Sequence, residues 1–299
     1  MTSPIIASPR SRTVGPDREH RRPVGSSRFR SHRWGHPDLP WRAPIVAVAV
    51  LGAFITLPLV ALIFRAVGAD QFGAFTRADG VASAVTLSFA TAGATLAIAL
   101  VIGTPAAFAL ARVTFPGRGL ANALVEVPVV LPPAVAGLAL LLAFGRQGLV
   151  GAWLVDAGLS LAFSTTGVVV AQCFVSLPFY VRTARAAFER VERDLESAAL
   201  VDGANGWQVL RHVTLPLATP SLIAGSVLCW SRALGEFGAT LMFAGSLRGR
   251  TQTMPLAIYA LLETDVTGAV MLGGAFVGIA IMTLAIATAA TRRIVSLEG

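Results

Sequence analysis

The sequence of 299 residues contains no lysine, only two cysteines and few charged side chains. Without lysine it has no G-x-x-x-x-G-K-[ST] loop, and therefore no phosphate-binding loop of this kind for ATP. Cys173 and Cys229 both lie inside apolar runs, which excludes a disulfide framework and a cysteine metal site and indicates two buried small side chains. Protease motifs are missing as well, since neither G-x-S-x-G nor H-E-x-x-H occurs.

The scarcity of charge indicates the class of protein. Charged residues make up 13% of the chain, against about 25% in soluble domains. Hydrophobic residues reach 55%, and the mean hydropathy is +0.70. The apolar residues form blocks of about 20, which is the length of helix that crosses ~30 Å of hydrocarbon. The sequence therefore predicts an all-α polytopic membrane protein.

The net charge of +8 is concentrated near the N-terminus, where nine arginines fall within the first 42 residues. A basic arm rich in Pro, Ser and Gly before a first span is typical of a disordered cytosolic tail that sets orientation. Binding to anionic lipid or nucleic acid is the alternative, and we predict no nucleic-acid partner. The apolar block that follows reaches full span length without a small-residue cleavage site, which indicates an uncleaved anchor.

Six apolar spans are predicted, over residues 44–66, 83–111, 120–144, 164–183, 218–245 and 266–291. With the N-terminus in the cytosol, 18 arginines lie on the cytosolic side and five on the outer side. The positive-inside rule then predicts cytosolic termini and a cytosolic loop over 184–216. The predicted domains are the arm (1–42), a transmembrane domain that contains this loop (43–293) and a short cytosolic tail (294–299).

The third span is rich in proline. Pro128, Pro132 and Pro133 lie within six residues of apolar sequence, and each removes an intrahelical hydrogen bond and clashes with the preceding turn. Broken backbone at membrane depth is tolerated where it is buried in protein or lines a watery cavity, and transporters use such breaks at their pathways. Two interpretations stay open: a translocation pathway or gate that includes Pro132 and Pro133, or a kinked packing helix.

The fifth span carries the charges predicted near the middle of the membrane, Arg232 and Glu236, which share a helix face. A charge at a helix centre costs ~2.5–3.5 kcal/mol on insertion scales, so pairing, a partner or water is required. Three interpretations stay open: a self-neutralising structural pair, a gate or interface lock, and direct contact with an anionic substrate, for which the arginine fork is suited. Gly235 and Gly238 flank Glu236 and permit close approach of another helix.

A polar stretch at residues 196–216, ESAALVDGANGWQVLRHVTLP, interrupts the apolar spans without any obvious catalytic group. Asp202-Gly203 predicts the end of one helix, Asn205-Gly206 the start of a second short one, and Leu215-Pro216 the entry into the fifth span. Two short helices at an angle, joined at both ends to spans, form a lever, because a push on them moves the spans. We therefore predict a docking surface for an ATP-driven partner.

This stretch resembles the cytoplasmic EAA loop of permease subunits of binding-protein-dependent ABC importers. The family pattern is roughly Glu-Ala-Ala, three residues, Gly, nine residues and then Ile-x-Leu-Pro. This chain has the same spacing, with Ser197-Ala198-Ala199, Gly203 and then Val213-Thr214-Leu215-Pro216. The glutamate position holds Ser197, with Glu196 beside it, which leaves open which residue, if either, makes the family's polar contact with the ATPase.

The resemblance covers about 83–290. Two regions are similar to the sulfate/molybdate branch of these permeases: PGRG before a proline-broken VPVVLPPAVAGLALL, and RALGEFGATLMFAG followed by RTQTMPLAIY. The last two strings are most similar to molybdate permeases. The implied fold is the small permease fold of molybdate and methionine importers. The implied coupling residues are Glu196, Ser197, Ala198, Ala199, Asp202, Gly203, Ala204, Leu215 and Pro216. The candidate pathway or gate residues are Arg232, Glu236, Pro132 and Pro133.

The resemblance also implies an assembly. It comprises a homodimer of this chain in the lipid of a bacterial inner membrane, two cytosolic ATPase subunits that bind the ATP and Mg, and an extracytoplasmic oxyanion-binding protein. No cofactor is implied in this chain, which is expected to be a permease subunit and not an enzyme. We predict that it moves a tetrahedral oxyanion, with molybdate favoured, inward by alternating access.

Two alternatives to a molybdate permease are kept. Sulfate, thiosulfate and tungstate are alternative cargoes, because no binding cage for the oxyanion is visible in the sequence. A proton-coupled secondary transporter is a different class of function, since Glu236 could titrate. The EAA-like loop argues against that class, because a secondary transporter has no use for a lever moved by an ATPase.

Overall fold

The computed structural model describes residues 42–68 and 80–297, and every regular element in these ranges is helical. The predicted arm (1–42), apart from Arg42, and the last two residues of the predicted tail (294–299) lie outside the described residues. The described residues from Ala53 onward form one compact unit. The all-α class predicted from composition is therefore confirmed.

Helices are numbered in chain order. They are α1 (Arg42–Val67), α2 (Val81–Ile98), α3 (Thr104–Arg112), α4 (Arg118–Val130), α5 (Pro133–Phe144), α6 (Gly151–Asp156), α7 (Thr165–Arg190), α8 (Arg193–Val201), α9 (Gly206–Val209), α10 (Leu215–Leu234), α11 (Gly238–Ala244), α12 (Met254–Thr264) and α13 (Val266–Leu297). Two π-helical segments, Ala99–Gly103 and Leu210–Thr214, join α2 to α3 and α9 to α10.

Five of the described helical segments are long and apolar enough to cross a membrane, and a bent pair of shorter helices supplies a sixth if it counts as one span. The five segments are Pro44–Val67, Val81–Arg112, Thr165–Arg190, Gly206–Leu234 and Val266–Ile286. They follow the predicted order of spans. The fourth span extends beyond its predicted end, so residues 184–190 of the predicted loop belong to helix α7.

Helix α7 lies at the centre of the packed helices. More than half of the residues in its most apolar stretch are buried, and it packs against α2, α3, α10 and α11. A glycine allows one close approach, since at Gly103 a methyl group would lie 2.9 Å from the ring of Tyr180. The Tyr180 side chain is fully buried, and its hydroxyl is hydrogen-bonded to Thr104 Oγ1 at 2.6 Å. α7 therefore connects the second and fifth spans.

The third predicted span consists of two helices. α4 and α5 are bent by 119° at Leu131 and Pro132. Both linking residues are extended, with ψ angles of 134° and 135°, because each precedes a proline, which disfavours the α conformation of the residue before it. Pro128 stays inside α4. The predicted break is confirmed, and it lies at the tandem Pro132-Pro133.

The prediction of one continuous fifth span over 218–245 was wrong. α10 ends at Leu234, residues 235–237 leave the helix, and α11 starts at Gly238. Glycine at 238 allows this turn to lie close to another chain segment, since a methyl group there would be 2.8 Å from Cβ of Pro133. α11 packs against α5. The two breaks in the apolar spans are therefore in contact with each other.

The prediction of a second short helix before the fifth span was also wrong in part. α8 is a separate short helix and α9 begins at Gly206 as predicted, but one helical segment continues over Gly206–Leu234. Pro216 lacks an N–H group and would clash with the carbonyl four residues back in a regular α-helix. The wider π-helical turn before it, in which the Leu215 N–H donates to the Leu210 carbonyl, relieves this clash. A force on α9 therefore acts along a single helix.

Candidate functional site

The α8–α9 segment (residues 193–209) turns at Gly203. The φ angle of this residue is +94°, in the left-handed region that favours glycine. The turn brings the Ala204 N–H to 3.0 Å from the Ala199 carbonyl oxygen, so one of the carbonyl groups left free at the end of α8 is satisfied. Gly203 thus ends α8, as Asp202-Gly203 predicted.

Helix α9 begins after this turn with a capping box. The Gln208 N–H donates to Asn205 Oδ1 at 2.9 Å, and the Asn205 N–H donates to Gln208 Oε1 at 2.8 Å. These two bonds satisfy N–H groups that have no partner within the helix. The start predicted from Asn205-Gly206 is confirmed. The turn between α8 and α9 is therefore held by local bonds at both ends.

Large apolar side chains of the α8–α9 segment are exposed. Leu200 is 52%, Trp207 is 66% and Val201 is 87% exposed. They lie in the stretch predicted to be cytosolic, where lipid would not cover them, and an exposed apolar patch of this kind marks a protein contact. Sequence reasoning missed these three residues, although apolar side chains in a polar stretch were a visible signal.

The predicted coupling residues lie on or beside this patch. Those that are exposed are Ser197, Ala198, Asp202, Gly203 and Pro216, and those that are half-buried are Glu196, Ala199, Ala204 and Leu215. The structure thus brings them together along α8, the turn and the start of α10.

Glu196 differs from its exposed neighbour Ser197 because its carboxylate bonds to the span helices. Glu196 Oε1 accepts hydrogen bonds from Arg112 Nη2 at 3.1 Å and from Thr214 Oγ1 at 2.7 Å. Only 18% of its side chain is exposed. Sequence reasoning missed Arg112 and Thr214 as partners, since Arg112 lies 84 residues away along the chain and no local pattern connects the two positions.

Arg232 and Glu236 form an ion pair at the end of α10. Arg232 Nη1 lies 2.7 Å from Glu236 Oε2, and Glu236 Oε1 accepts a hydrogen bond from the Ala239 N–H at 2.9 Å. The Glu236 side chain is 1% exposed and that of Arg232 is 31% exposed. The two side chains thus form the pair that one of the three interpretations requires. However, Glu236 lies in the break after α10 and not on the continuous helix that was expected.

The backbones of α5 and α11 touch beside this ion pair. At Gly137 a methyl group would lie 2.6 Å from Cβ of Met242 and 2.8 Å from the carbonyl oxygen of Ala239. Pro133 lies against Gly238, two residues after Glu236. Of the four predicted pathway residues, Pro133 is therefore brought to the turn that contains Glu236. Pro133, Glu236 and Arg232 form a group that is separate from the coupling residues.

A buried hydroxyl group lies on α11. Thr240 is fully buried, and its Oγ1 has no hydrogen-bond partner in the part of the chain that the structure describes. An apolar groove of about 480 Å³, lined by residues such as Leu140 and Phe174, contains neither Arg232 nor Glu236 and offers no charge to an anion. The Arg232 guanidinium is partly exposed beside this contact, so an anion could reach its charge.

Metal ligands do not gather in the described residues. Within residues 42–68 and 80–297, no group of three or more His, Cys, Asp or Glu side chains is arranged to hold a metal ion. The described residues provide two features. One is the cationic side chain of Arg232 beside two broken spans, and the other is the exposed apolar α8–α9 segment, which is hydrogen-bonded to the spans.

The chain matches known transport proteins over most of its length. Residues 99–296 match the family model described as binding-protein-dependent transport system inner membrane component. The chain is 45% identical over 241 residues to the molybdenum transport system permease protein ModB of Mycobacterium tuberculosis, covering 79% of this chain and 90% of that protein. It is 42% identical over 177 residues to the sulfate transport system permease protein CysW of Synechococcus elongatus, covering 58% of this chain and 62% of that protein.

Solved structures share the fold. A chain from a bacterial ABC transporter involved in the import of alginate superposes with a TM-score of 0.71 at 18% identity, over 86% of this chain and 96% of that chain. A chain of the MetNI methionine ABC transporter in an inward-facing conformation superposes with a TM-score of 0.56 at 20% identity, over 72% of this chain and 96% of that chain. At these identities the likeness concerns the fold alone.

Proposed function

The chain belongs to the family of binding-protein-dependent transport system inner membrane components, and we propose that it is the membrane-spanning subunit of an ATP-driven molybdate importer. The chain is an ABC importer permease. The observation that carries the proposal is the α8–α9 segment, whose glycine turn presents Val201 and Trp207 to an outside partner while the segment is joined to spans at both ends. The 45% identity to ModB of Mycobacterium tuberculosis supports molybdate as the cargo.

The proposed assembly is a homodimer with two cytosolic ATPase subunits and an extracytoplasmic oxyanion-binding protein. ATP and Mg are bound by the ATPases, and this chain holds no cofactor. The assembly lies in the bacterial inner membrane with both termini of this chain in the cytosol, which the surplus of cytosolic arginine supports. The homodimer is supported by Arg232, because a partly exposed charge in a membrane requires protein or water around it.

The proposed pathway runs between the two copies, along the third and fifth spans. ATP binding and hydrolysis in the ATPases move α8 and α9, and the single helix Gly206–Leu234 carries this motion to the contact between α5 and α11. Arg232 lies at that end of the helix, where its guanidinium attracts an oxyanion. Access to the pathway then alternates between the two sides of the membrane.

Sulfate is the second candidate cargo, together with thiosulfate and tungstate. The 42% identity to the sulfate permease CysW supports it, over 58% of this chain. Molybdate, tungstate and sulfate are tetrahedral dianions that present similar oxygens to a guanidinium. A proton-coupled secondary transporter is less well supported, because both oxygens of Glu236 already accept hydrogen bonds.

Uptake into vesicles tests the proposal. The permease is reconstituted with its ATPase and its binding protein, and we expect molybdate uptake that requires ATP on the ATPase side. Tungstate and sulfate are measured in parallel, and the oxyanion taken up at the lowest concentration is the cargo. Molybdate uptake that persists without ATP or without the ATPase subunit would refute the proposal.

Gly203→Asp is expected to lower uptake by about tenfold, because a φ of +94° is unfavourable for an L-residue by roughly 1–2 kcal/mol. No heavy atom lies within 4 Å of the added Cβ, so the effect comes from the altered turn and not from a clash. Assembly with the ATPase or coupling to transport is weakened, while membrane insertion remains intact. Uptake and the amount of co-purified ATPase measure the result.

Gly206→Asp is the matched control for this variant. It adds the same charge to the same segment at a residue with no positive φ and no heavy atom within 4 Å of the added Cβ. We therefore expect a smaller loss of uptake than for Gly203→Asp. Equal uptake in Gly203→Asp and the unaltered protein would show that the turn does not transmit motion.

A further inference from the structure

One oxygen of Glu196 joins segments that are distant in the chain. Arg112 Nη2, at the end of α3, donates to Glu196 Oε1 at 3.1 Å and to the Val191 carbonyl at 2.8 Å. Thr214 Oγ1, at the end of the π-helical segment before α10, donates to the same Glu196 oxygen at 2.7 Å. The last residue of the second span, the end of α7, helix α8 and the entry to the fifth span therefore meet at the Arg112–Glu196 pair.

The chemistry of each contact favours this meeting point. Val191 follows the last residue of α7 in an extended conformation, and its carbonyl, which is outside the helical hydrogen bonds, accepts a hydrogen bond from the Arg112 cation. Glu196 lies in the first turn of α8, where the helix dipole favours an anion. Thr214 is 1% exposed, so its hydroxyl has little access to water and relies on Glu196. The contact is thus largely closed to solvent.

The chain itself connects α8 to the fourth and fifth spans but not to the second. Residues 191–192 lead from α7 into α8, and residues 202–205 lead from α8 into α9. The second span ends at Arg112, and the Arg112–Glu196 pair links it to α8 across 84 residues of sequence. Without this pair, motion of α8 would reach the second span only through the other helices that pack against that span.

We propose that Glu196 is a positioning residue that transmits motion of α8 to the second and fifth spans, and that it is not the contact to the ATPase. Ser197, the next residue, is exposed and is therefore accessible to a partner. Of these two adjacent residues, Glu196 turns inward to the spans and Ser197 outward. It rests on the proposed function, because α8 moves only if an ATPase engages it.

The test compares two variants that weaken the contact with two that keep it. Glu196→Gln removes the charge and keeps the shape, and Thr214→Val removes the hydroxyl. Thr214→Ser retains the hydroxyl, and Glu192→Gln makes the same carboxylate-to-amide change at an exposed residue just before α8. Each is reconstituted with the ATPase and binding protein, and three quantities are measured: ATPase bound per permease, ATP hydrolysed and molybdate taken up.

Glu196→Gln and Thr214→Val are expected to lower molybdate uptake per ATP hydrolysed by about tenfold, with ATPase binding and hydrolysis within about twofold of the unaltered protein. Thr214→Ser and Glu192→Gln are expected to leave this ratio within about twofold. The double variant Glu196→Gln/Thr214→Val should be no worse than Glu196→Gln, because both changes act on one oxygen. A merely structural role would lower binding, hydrolysis and uptake in parallel and would overturn the proposal.

Two other results would also overturn it. The first is loss of ATPase binding in Glu196→Gln alone, which would make Glu196 the contact to the ATPase. The second is an unchanged ratio of uptake to hydrolysis. If the unaltered protein shows no ATP-driven uptake, the proposed function fails, and amide hydrogen exchange over residues 193–209 then decides. Faster exchange in Glu196→Gln than in Glu192→Gln supports the contact, and equal exchange overturns it.

Discussion

Arg232→Gln is expected to lower both the yield of folded protein and oxyanion uptake by about tenfold or more. The change leaves the carboxylate of Glu236, whose side chain is 1% exposed, without its ion-pair partner. Removal of one member of a buried ion pair costs about 3–5 kcal/mol, because the remaining charge is buried and uncompensated. Folded yield after extraction in detergent and uptake in vesicles measure the two effects.

Glu236→Gln is expected to be milder, with a folded yield within about threefold of the unaltered protein. The amide oxygen can still accept the hydrogen bond from the Ala239 N–H, which the carboxylate now accepts at 2.9 Å. Arg232 is 31% exposed and can turn its guanidinium towards water. Equal losses of yield in Arg232→Gln and Glu236→Gln would contradict this asymmetry of burial.

The double variant Arg232→Gln/Glu236→Gln separates the three interpretations of the pair. Two neutral amides leave no buried charge, so we expect the folded yield to recover. We expect uptake to stay low, because the oxyanion loses the charge that attracts it. Recovery of uptake would instead make the pair structural, and uptake that no longer requires ATP would make it a gate.

Gly137→Ala is expected to separate α5 from α11 and to lower the thermal midpoint of the purified protein by several degrees. The added methyl group would lie 2.6 Å from Cβ of Met242 and 2.8 Å from the carbonyl oxygen of Ala239. Backbone atoms cannot move aside as a flexible side chain can, and overpacking of this kind costs about 1–3 kcal/mol. Because the Ala239 N–H also bonds to Glu236, we expect uptake to fall together with stability.

Gly93→Ala is the matched control for Gly137→Ala. Gly93 lies inside α2, and no heavy atom comes within 4 Å of the added Cβ. Alanine is more favourable than glycine in a helix interior by about 1 kcal/mol, so the midpoint should not fall. A midpoint lowered equally by both variants would show that the effect is general to glycine and not due to the contact between α5 and α11.

Much of the fold could be predicted from local sequence. The apolar runs are long enough to identify the spans, and the tandem Pro132-Pro133 predicts the break because each proline restricts the residue before it. The 119° bend between α4 and α5 could not be predicted in the same way. Proline ends a helix, but the direction of the next helix depends on what it packs against.

The two errors in the fifth span have different causes. The prediction over 218–245 treated an apolar run as one helix, whereas α10 ends at Leu234 and α11 folds against α5. A continuous helix and a broken span have the same apolar composition. The close contact of Gly137 with α11 favours the broken span here. The prediction of a separate helix before Pro216 overlooked that a π-helical turn can accommodate a proline.

In the candidate site, too, local features could be predicted from the sequence and long-range contacts could not. Gly203 and Asn205 act within a few residues, so their turn and cap were visible in the sequence. Arg232 and Glu236 are four residues apart, and their pairing was visible too, since a short loop keeps them within reach. Glu196 bonds to Arg112, 84 residues away, and a single sequence contains no pattern that relates such positions.

The sequence by itself determined the class of protein, the order of its spans, the glycine turn and the resemblance to importer permeases, because length, hydropathy and turn chemistry act over one or two dozen residues. Only the tertiary structure decided that Glu196 turns towards the spans while Ser197 faces outward, that the fifth span ends at Leu234, and that its break meets the break at Pro133. These features depend on which helices pack together, and packing joins residues that no local spacing connects.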